Sequence, residues 1–178
     1  MVEKNRIIFL DRDGVINELR EDYVKNFSEF VLLPDVGKHL SKLSQNGFKL
    51  IIITNQSAIG RGFLSKENLE KIHRHLKNKL LEQSCVIDRI FYCPHIPEDN
   101  CTCRKPNTDL FERAVKEFHP VDMTNSWIIG DNHTDIQAAK KLELNSILVK
   151  SNSSIEGAVK QILTKYKQSN KSLKQNLK

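Results

Sequence analysis

Apolar residues fall along this chain in two rhythms. Short runs rich in isoleucine and other strand formers occur at RIIFL (6–10), FKLIIIT (48–54), DRIFYC (88–93), SWIIG (126–130) and SILV (146–149), and runs of this length read as strands. FKLIIIT is apolar enough to be covered on both faces. Between the runs the period lengthens. After Pro34 and Asp35, Val36, Leu40 and Leu43 recur at helical spacing and Gly47 offers a C-cap. Ser65 caps a longer amphipathic helix to about residue 83, with Leu69, Ile72, Leu76 and Leu80 on one side. TDLFERAVKEF, TDIQAAKKLEL and a segment at about 155–166 complete the set. Strands alternating with helices predict an α/β fold, a doubly wound parallel sheet of Rossmann-like type.

Ligands of such sheets bind beyond the carboxyl ends of the strands. In chain order those ends carry DRDG (11–14), TNQS (54–57), a cysteine-rich stretch running into RKP (104–106), and GDNHTD (130–135). Acids, hydroxyls and basic groups therefore meet along one edge. The segment from Val15 to Leu33 is too short for a large cap, so the site is expected to be open.

With 178 residues, one domain is expected, spanning 1–166, followed by a disordered basic tail at 167–178. The net charge of +6 suggests nucleic acid until it is located: residues 151–178 hold six lysines against Glu156, leaving the preceding body near neutral. A lysine, serine, asparagine and glutamine tail reads as solvated chain. A nucleic-acid partner is therefore not expected, nor a membrane one, since no run is long enough to cross a bilayer. The chain is expected to be a cytoplasmic monomer. In that compartment thiols stay reduced, and clustered cysteines more often bind metal than pair as disulfides.

The motifs offer specific chemistry. An isolated D-x-D is more often a loop start or helix cap than a site, but Asp11 and Asp13 stand at a strand end before a glycine, with Asp131 at another strand end. An oxygen-rich site of that kind suits Mg²⁺ together with substrate phosphate. Thr54 can donate to a phosphate, Lys105 adds a point charge and Arg104 a planar fork. CPHIPEDNCTCRKP (93–106) places three of the four cysteines and a histidine within eleven residues. A zinc finger, a disulfide loop and an addition to an enzyme are all open. Cys85 stands apart as an ordinary thiol, and His39, His73, His75, His119 and His133 are assigned no chemistry.

The order DRDG, TN, RKP, GDNHTD resembles the haloacid dehalogenase superfamily of phosphotransferases over about residues 6–149. The resemblance implies that Asp11 is the nucleophile and forms an aspartyl phosphate, and that Asp13 protonates the leaving oxygen and later activates water. It also implies that Asp11, the Asp13 carbonyl and Asp131 hold Mg²⁺ while Thr54 and Lys105 stabilise the transferring phosphoryl group. FLDRDGVIN, Tyr23 with Val24, SEF (28–30), TNQSAIGRG, CPH and CTCRKP resemble more closely the D-glycero-D-manno-heptose 1,7-bisphosphate 7-phosphatase family and the related histidinol-phosphatase domains. From that likeness Cys93, His95, Cys101 and Cys103 are the expected zinc ligands, a complete tetrahedral set of the structural kind. The zinc would then aim Arg104 and Lys105 at the substrate. Asn55 and Gln56 are expected to contact substrate, as are Tyr23 and Arg61, against plainer readings as turn, packing or exposed surface residues.

The chain departs from the pattern twice. Asn132 follows Asp131 where many relatives carry a basic residue, and the metal loop is short, with IPEDN between His95 and Cys101. The expected activity is Mg²⁺-dependent removal of the C7 phosphate of heptose bisphosphate during nucleotide-heptose synthesis, with a phosphorylated sugar as partner. Histidinol phosphate or another small phosphate ester is the alternative. A DNA 3′-phosphatase needs a basic channel that the body lacks, and a noncatalytic zinc module leaves the acids unexplained.

Overall fold

The computed structural model describes residues 4–175, with side chains through Ser169. Five strands, β1 (Arg6–Leu10), β2 (Phe48–Asn55), β3 (Arg89–Cys93), β4 (Trp127–Gly130) and β5 (Asn145–Leu148), form one sheet in the order β3-β2-β1-β4-β5. Every pairing is parallel. The chain builds outward from β1 to β3, then crosses to the other side of β1 for β4, which makes the carboxyl end of β1 the switch point where a crevice opens.

Continuous apolar runs are needed because successive side chains of a strand face opposite ways. Ile8, Leu10, Leu50 and Ile52 enter one core cluster, while Ile7, Phe9, Ile51 and Ile53 enter the other. The first face is covered by α1 (Val36–Gln45), α3 (Lys66–Leu81) and α6 (Glu156–Gln175). The second is covered by α4 (Asp109–Glu117) and α5 (His133–Lys141). A one-turn helix, α2 (Ser57–Gly60), follows β2.

Local chemistry sets the helix ends. The Ser65 hydroxyl accepts from the Asn68 amide at 3.1 Å and starts α3. After α1 the chain turns at Gly47 in the left-handed region, with φ of +81°, as a helix C-terminus favours. A disordered end is expected from 167, yet α6 continues to Gln175. The reason is that Ile155, Ala158, Val159 and Ile162 pack its first turns into the core, so nucleation is already overcome and lysine, glutamine and leucine can extend the helix. The segment 15–33 carries one 3₁₀ turn at Phe27–Glu29 and buries Val15, Ile16, Val24, Phe30 and Leu33. It is a flap and no larger cap stands over the sheet among the described residues.

Candidate active site

At the end of β1 the chain turns sharply. The Arg12 carbonyl accepts from the Ile16 amide at 2.8 Å, and Gly14 takes φ of +84°. Asp11 and Asp13 thereby face different neighbours. The Asp13 carboxylate is gripped by Arg12, whose Nη2 lies 2.8 Å from both of its oxygens, and receives Nδ2 of Asn17 at 2.9 Å and Nε2 of Gln56 at 2.8 Å. Burial opposes its charge, but these donors, led by Arg12, hold its pKa below the ordinary carboxylate value.

Asp11 faces a second lysine-centred group. Lys105, delivered from the loop after β3, is 3 % exposed and places Nζ 2.9 Å from Asp11 Oδ1 and 2.7 Å from Asp135 Oδ1. It also donates to the Ile53 carbonyl at 2.7 Å. Burial pushes the Asp11 carboxyl up to about 6, with Lys105 opposing the shift and Asp135 adding to it. Burial likewise raises Asp131, whose Oδ2 accepts from the Ser151 hydroxyl. Asp11, Asp131 and Asp135 bring carboxylate oxygens within 4.8 Å of one another. Three acids against one lysine make an excess of negative charge in a poorly solvated place, and an all-oxygen donor set of this kind fits a hard divalent cation.

Asp135 is the residue that sequence reasoning missed. It lies 1 % exposed in the first turn of α5, receives the Asn132 amide at 3.2 Å in a capping box, and neutralises Lys105. Its signal was the last letter of GDNHTD, which reads as a helix cap unless burial is known. The site adds one acid to the expected metal-facing set. The Asp13 carboxylate points to Arg12, as its expected part in proton transfer and not in metal binding allows, and Asp135 joins Asp11 and Asp131 in the acid cluster. Asn132, which stands where a positive charge is common, is the N-cap of α5 and accepts from the Thr134 amide at 3.0 Å.

The amides at the end of β2 and just beyond it are engaged with the protein itself. Asn55 accepts from the Lys105 amide at 3.0 Å and donates to its carbonyl at 3.2 Å, bracketing that residue's backbone. Gln56 links Asp13 to the buried Thr54 hydroxyl, which accepts from its Nε2 at 2.8 Å. Both amides organise the site, where substrate contacts are expected, because each strand end must hold the next element in place. A cavity of about 260 Å³ opens above, lined by Asp11, Asp13, Asn55, Gln56, Lys105 and Asp131 on its floor. Arg20, Tyr23 and Arg104 line its wall. Tyr23 adopts φ of +65° and packs on Phe63 with ring centroids 6.0 Å apart. Arg61 is exposed at the end of α2 and is not part of the cavity lining. Thr54 is buried beneath it.

The cysteine cluster closes beside the wall. Sγ atoms of Cys93, Cys101 and Cys103 stand 3.2 to 3.6 Å apart, and His95 Nδ1 lies 3.6 Å from Cys93 and 3.2 Å from Cys103. A disulfide is about 2.05 Å long, so none is present. Zn–S bonds of about 2.3 Å arranged tetrahedrally give ligand separations near these. Burial pushes the Cys93 thiol up, and a bound dication reverses that cost. The donor set thus fits zinc, in a loop whose last ligand immediately precedes Arg104. Arg104 Nη1 donates to the His95 carbonyl at 3.3 Å.

The family described as "HAD-hyrolase-like" matches residues 102–171. The D-glycero-beta-D-manno-heptose-1,7-bisphosphate 7-phosphatase of Pseudomonas aeruginosa is 38% identical over 145 residues, covering 82% of this chain and 81% of the relative. A probable enzyme of the same name from Thermoplasma volcanium is 39% identical over 140 residues, covering 78% of this chain and 94% of the relative. The D,D-heptose 1,7-bisphosphate phosphatase of B. bronchiseptica, crystallised with magnesium and phosphate, superposes with a TM-score of 0.84 at 29% identity, covering 90% of this chain and 99% of that one.

Proposed function

The chain belongs to the D-glycero-D-manno-heptose-1,7-bisphosphate 7-phosphatase family of haloacid dehalogenase-like hydrolases, and from that membership we propose that it removes the C7 phosphate of heptose 1,7-bisphosphate through a phosphorylated Asp11. That it is a phosphoric monoester hydrolase follows from the family. The mechanism rests on one observation above all: the Asp11 carboxylate lies on the cavity floor beside Lys105, with Asp131 and Asp135 close by.

Asp11 attacks phosphorus, the bond to the sugar oxygen breaks, and Asp13 delivers a proton to that oxygen. Asp13 then takes a proton from water, which attacks the phosphoaspartate and frees Asp11 and inorganic phosphate. In the resting site Arg12 holds Asp13 ionised, the state that can accept a proton from water; a phosphate dianion arriving beside it raises its proton affinity for the first step. Lys105 neutralises Asp11 before attack and the phosphoryl oxygens during it. Mg²⁺, held by Asp11, the Asp13 carbonyl and Asp131 with Asp135 alongside, would supply further charge neutralisation. Arg104, on the cavity wall, is the group suited to a second phosphate of the substrate. Zinc, held by Cys93, His95, Cys101 and Cys103, would fix the loop that carries it.

The test is phosphate release with Mg²⁺ from both anomers of heptose 1,7-bisphosphate, from histidinol phosphate and from a 3′-phosphorylated oligonucleotide. A strong preference for one heptose anomer is expected. Faster turnover of histidinol phosphate would reassign the substrate. Asp11→Asn is expected to abolish turnover while leaving fold and zinc content intact; full activity in that variant rules out the phosphoaspartate.

A further inference from the structure

Arg12 is 1 % exposed although it belongs to the lining of the cavity. One side of its guanidinium meets Asp13 through Nη2 and, at 3.2 Å, through Nε. The other side meets His73 on α3, with Nη1 3.4 Å from Nε2 of the imidazole. Arginine can only donate, so His73 Nε2 must be the acceptor and the ring must be neutral. His73 is itself buried, and its ring packs edge-on against Tyr92 with centroids 5.9 Å apart. Three segments thus converge on one carboxylate: the residue after β2 through Gln56, the β1 turn through Arg12 and Asn17, and α3 through His73 by way of Arg12.

We propose that His73 is a positioning residue for the reaction, acting through Arg12 to hold the Asp13 carboxylate where the leaving oxygen must receive its proton. A buried guanidinium with an unfilled donor turns to find another acceptor, and turning Arg12 turns Asp13 with it. His73 supplies that acceptor without adding a second negative charge, which would compete with Asp13 for the arginine. This inference rests on the proposed role of Asp13 as proton donor. Burial and the neighbouring Arg12 lower the His73 pKa to about 3, in keeping with a neutral ring.

Two variants separate positioning from packing. His73→Phe keeps a ring against Tyr92 and removes the acceptor, whereas His73→Gln keeps an acceptor and removes the ring. Each is assayed in single turnover with enzyme in excess, so that only the first step is read, on an alkyl phosphate and on p-nitrophenyl phosphate. The nitrophenolate leaves without needing a proton; the alkoxide does not. Expected for His73→Phe is a fall of tenfold or more on the alkyl ester and less than threefold on the aryl ester. His73→Gln is expected to stay within threefold of the parent on both. Equal losses on the two esters, an undiminished alkyl rate in His73→Phe, or a greater defect in His73→Gln overturns the proposal. Should His73→Phe fail to fold, His73→Gln decides alone, a parental ester ratio upholding it and a selective alkyl loss overturning it. Asp13→Asn in the same assay isolates the underlying reading: if it retains the parental alkyl rate, the role of Asp13 fails and that of His73 with it.

Discussion

At Gly14 no side chain can be accommodated. A Cβ there would stand 2.1 Å from Asp131 Oδ2, and φ of +84° is a conformation that side chains disfavour. Gly14→Ala is expected to cost about 1–2 kcal/mol from the backbone alone and to displace Asp131, so that activity falls further than stability; urea titration beside steady-state assays measures both. His73 provides a second test at this scale. In the fold it stays neutral down to about pH 3, whereas the unfolded chain protonates it near its ordinary value of 6.5. Below that value the unfolded state binds more protons, so stability falls as pH drops from about 6.5 toward 3, by at most ~1.4 kcal/mol per unit for this group. The slope of folding stability against pH should be shallower in His73→Gln by up to one proton, and identical slopes would mean that the parent ring protonates in place. Asp11, Asp13, Asp131 and Lys105 could be picked out in the sequence because they lie within a few residues of a strand end or of the cysteine cluster. Asp135 and His73 could not be, since an acid in a first helical turn and a histidine among lysines look like ordinary helix surface until burial is seen.

Elements divide the basic residues differently from what the sequence suggests. Arg104 and Lys105 are adjacent, and the metal loop is expected to aim both. Yet Lys105 is bracketed by Asn55 of β2 and tied to Asp11, Asp135 and the Ile53 carbonyl, none of which belongs to the loop. Arg104, by contrast, leans on the His95 carbonyl, a loop atom. Cys101→Ser is therefore expected to lose zinc and raise KM about tenfold or more, a loss of ~1.4 kcal/mol or more of substrate binding, with kcat kept within about threefold. Zinc analysis and steady-state kinetics on one preparation check this, and a collapse of kcat would show that Lys105 depends on the metal after all. The strands and long helices could be read because their apolar spacing is unambiguous. The Asn55 bracket could not, because an amide at a strand end carries no mark of the partner it will find fifty residues later.

The whole molecule is a sheet buried on both faces, and its stability lies in those two clusters and apart from the site. Ile162, fully buried where α6 meets the first face, should cost about 2–5 kcal/mol on replacement by alanine. Cutting the chain after Ser169 leaves Ile162 and its packing in place and should leave the melting temperature nearly unchanged; a large drop would mean that the end of α6 has a partner. The chemical floor of the cavity is built from strand ends that the sheet fixes, but its wall comes from the flap at 19–24 and from Arg104 at the end of the metal loop. Inheritance of the reaction and inheritance of the substrate are therefore physically separable in this protein. Exchanging those two surface segments for ones of other length and charge would recast which ester is accepted while the sheet, and the catalyst within it, passed on unaltered.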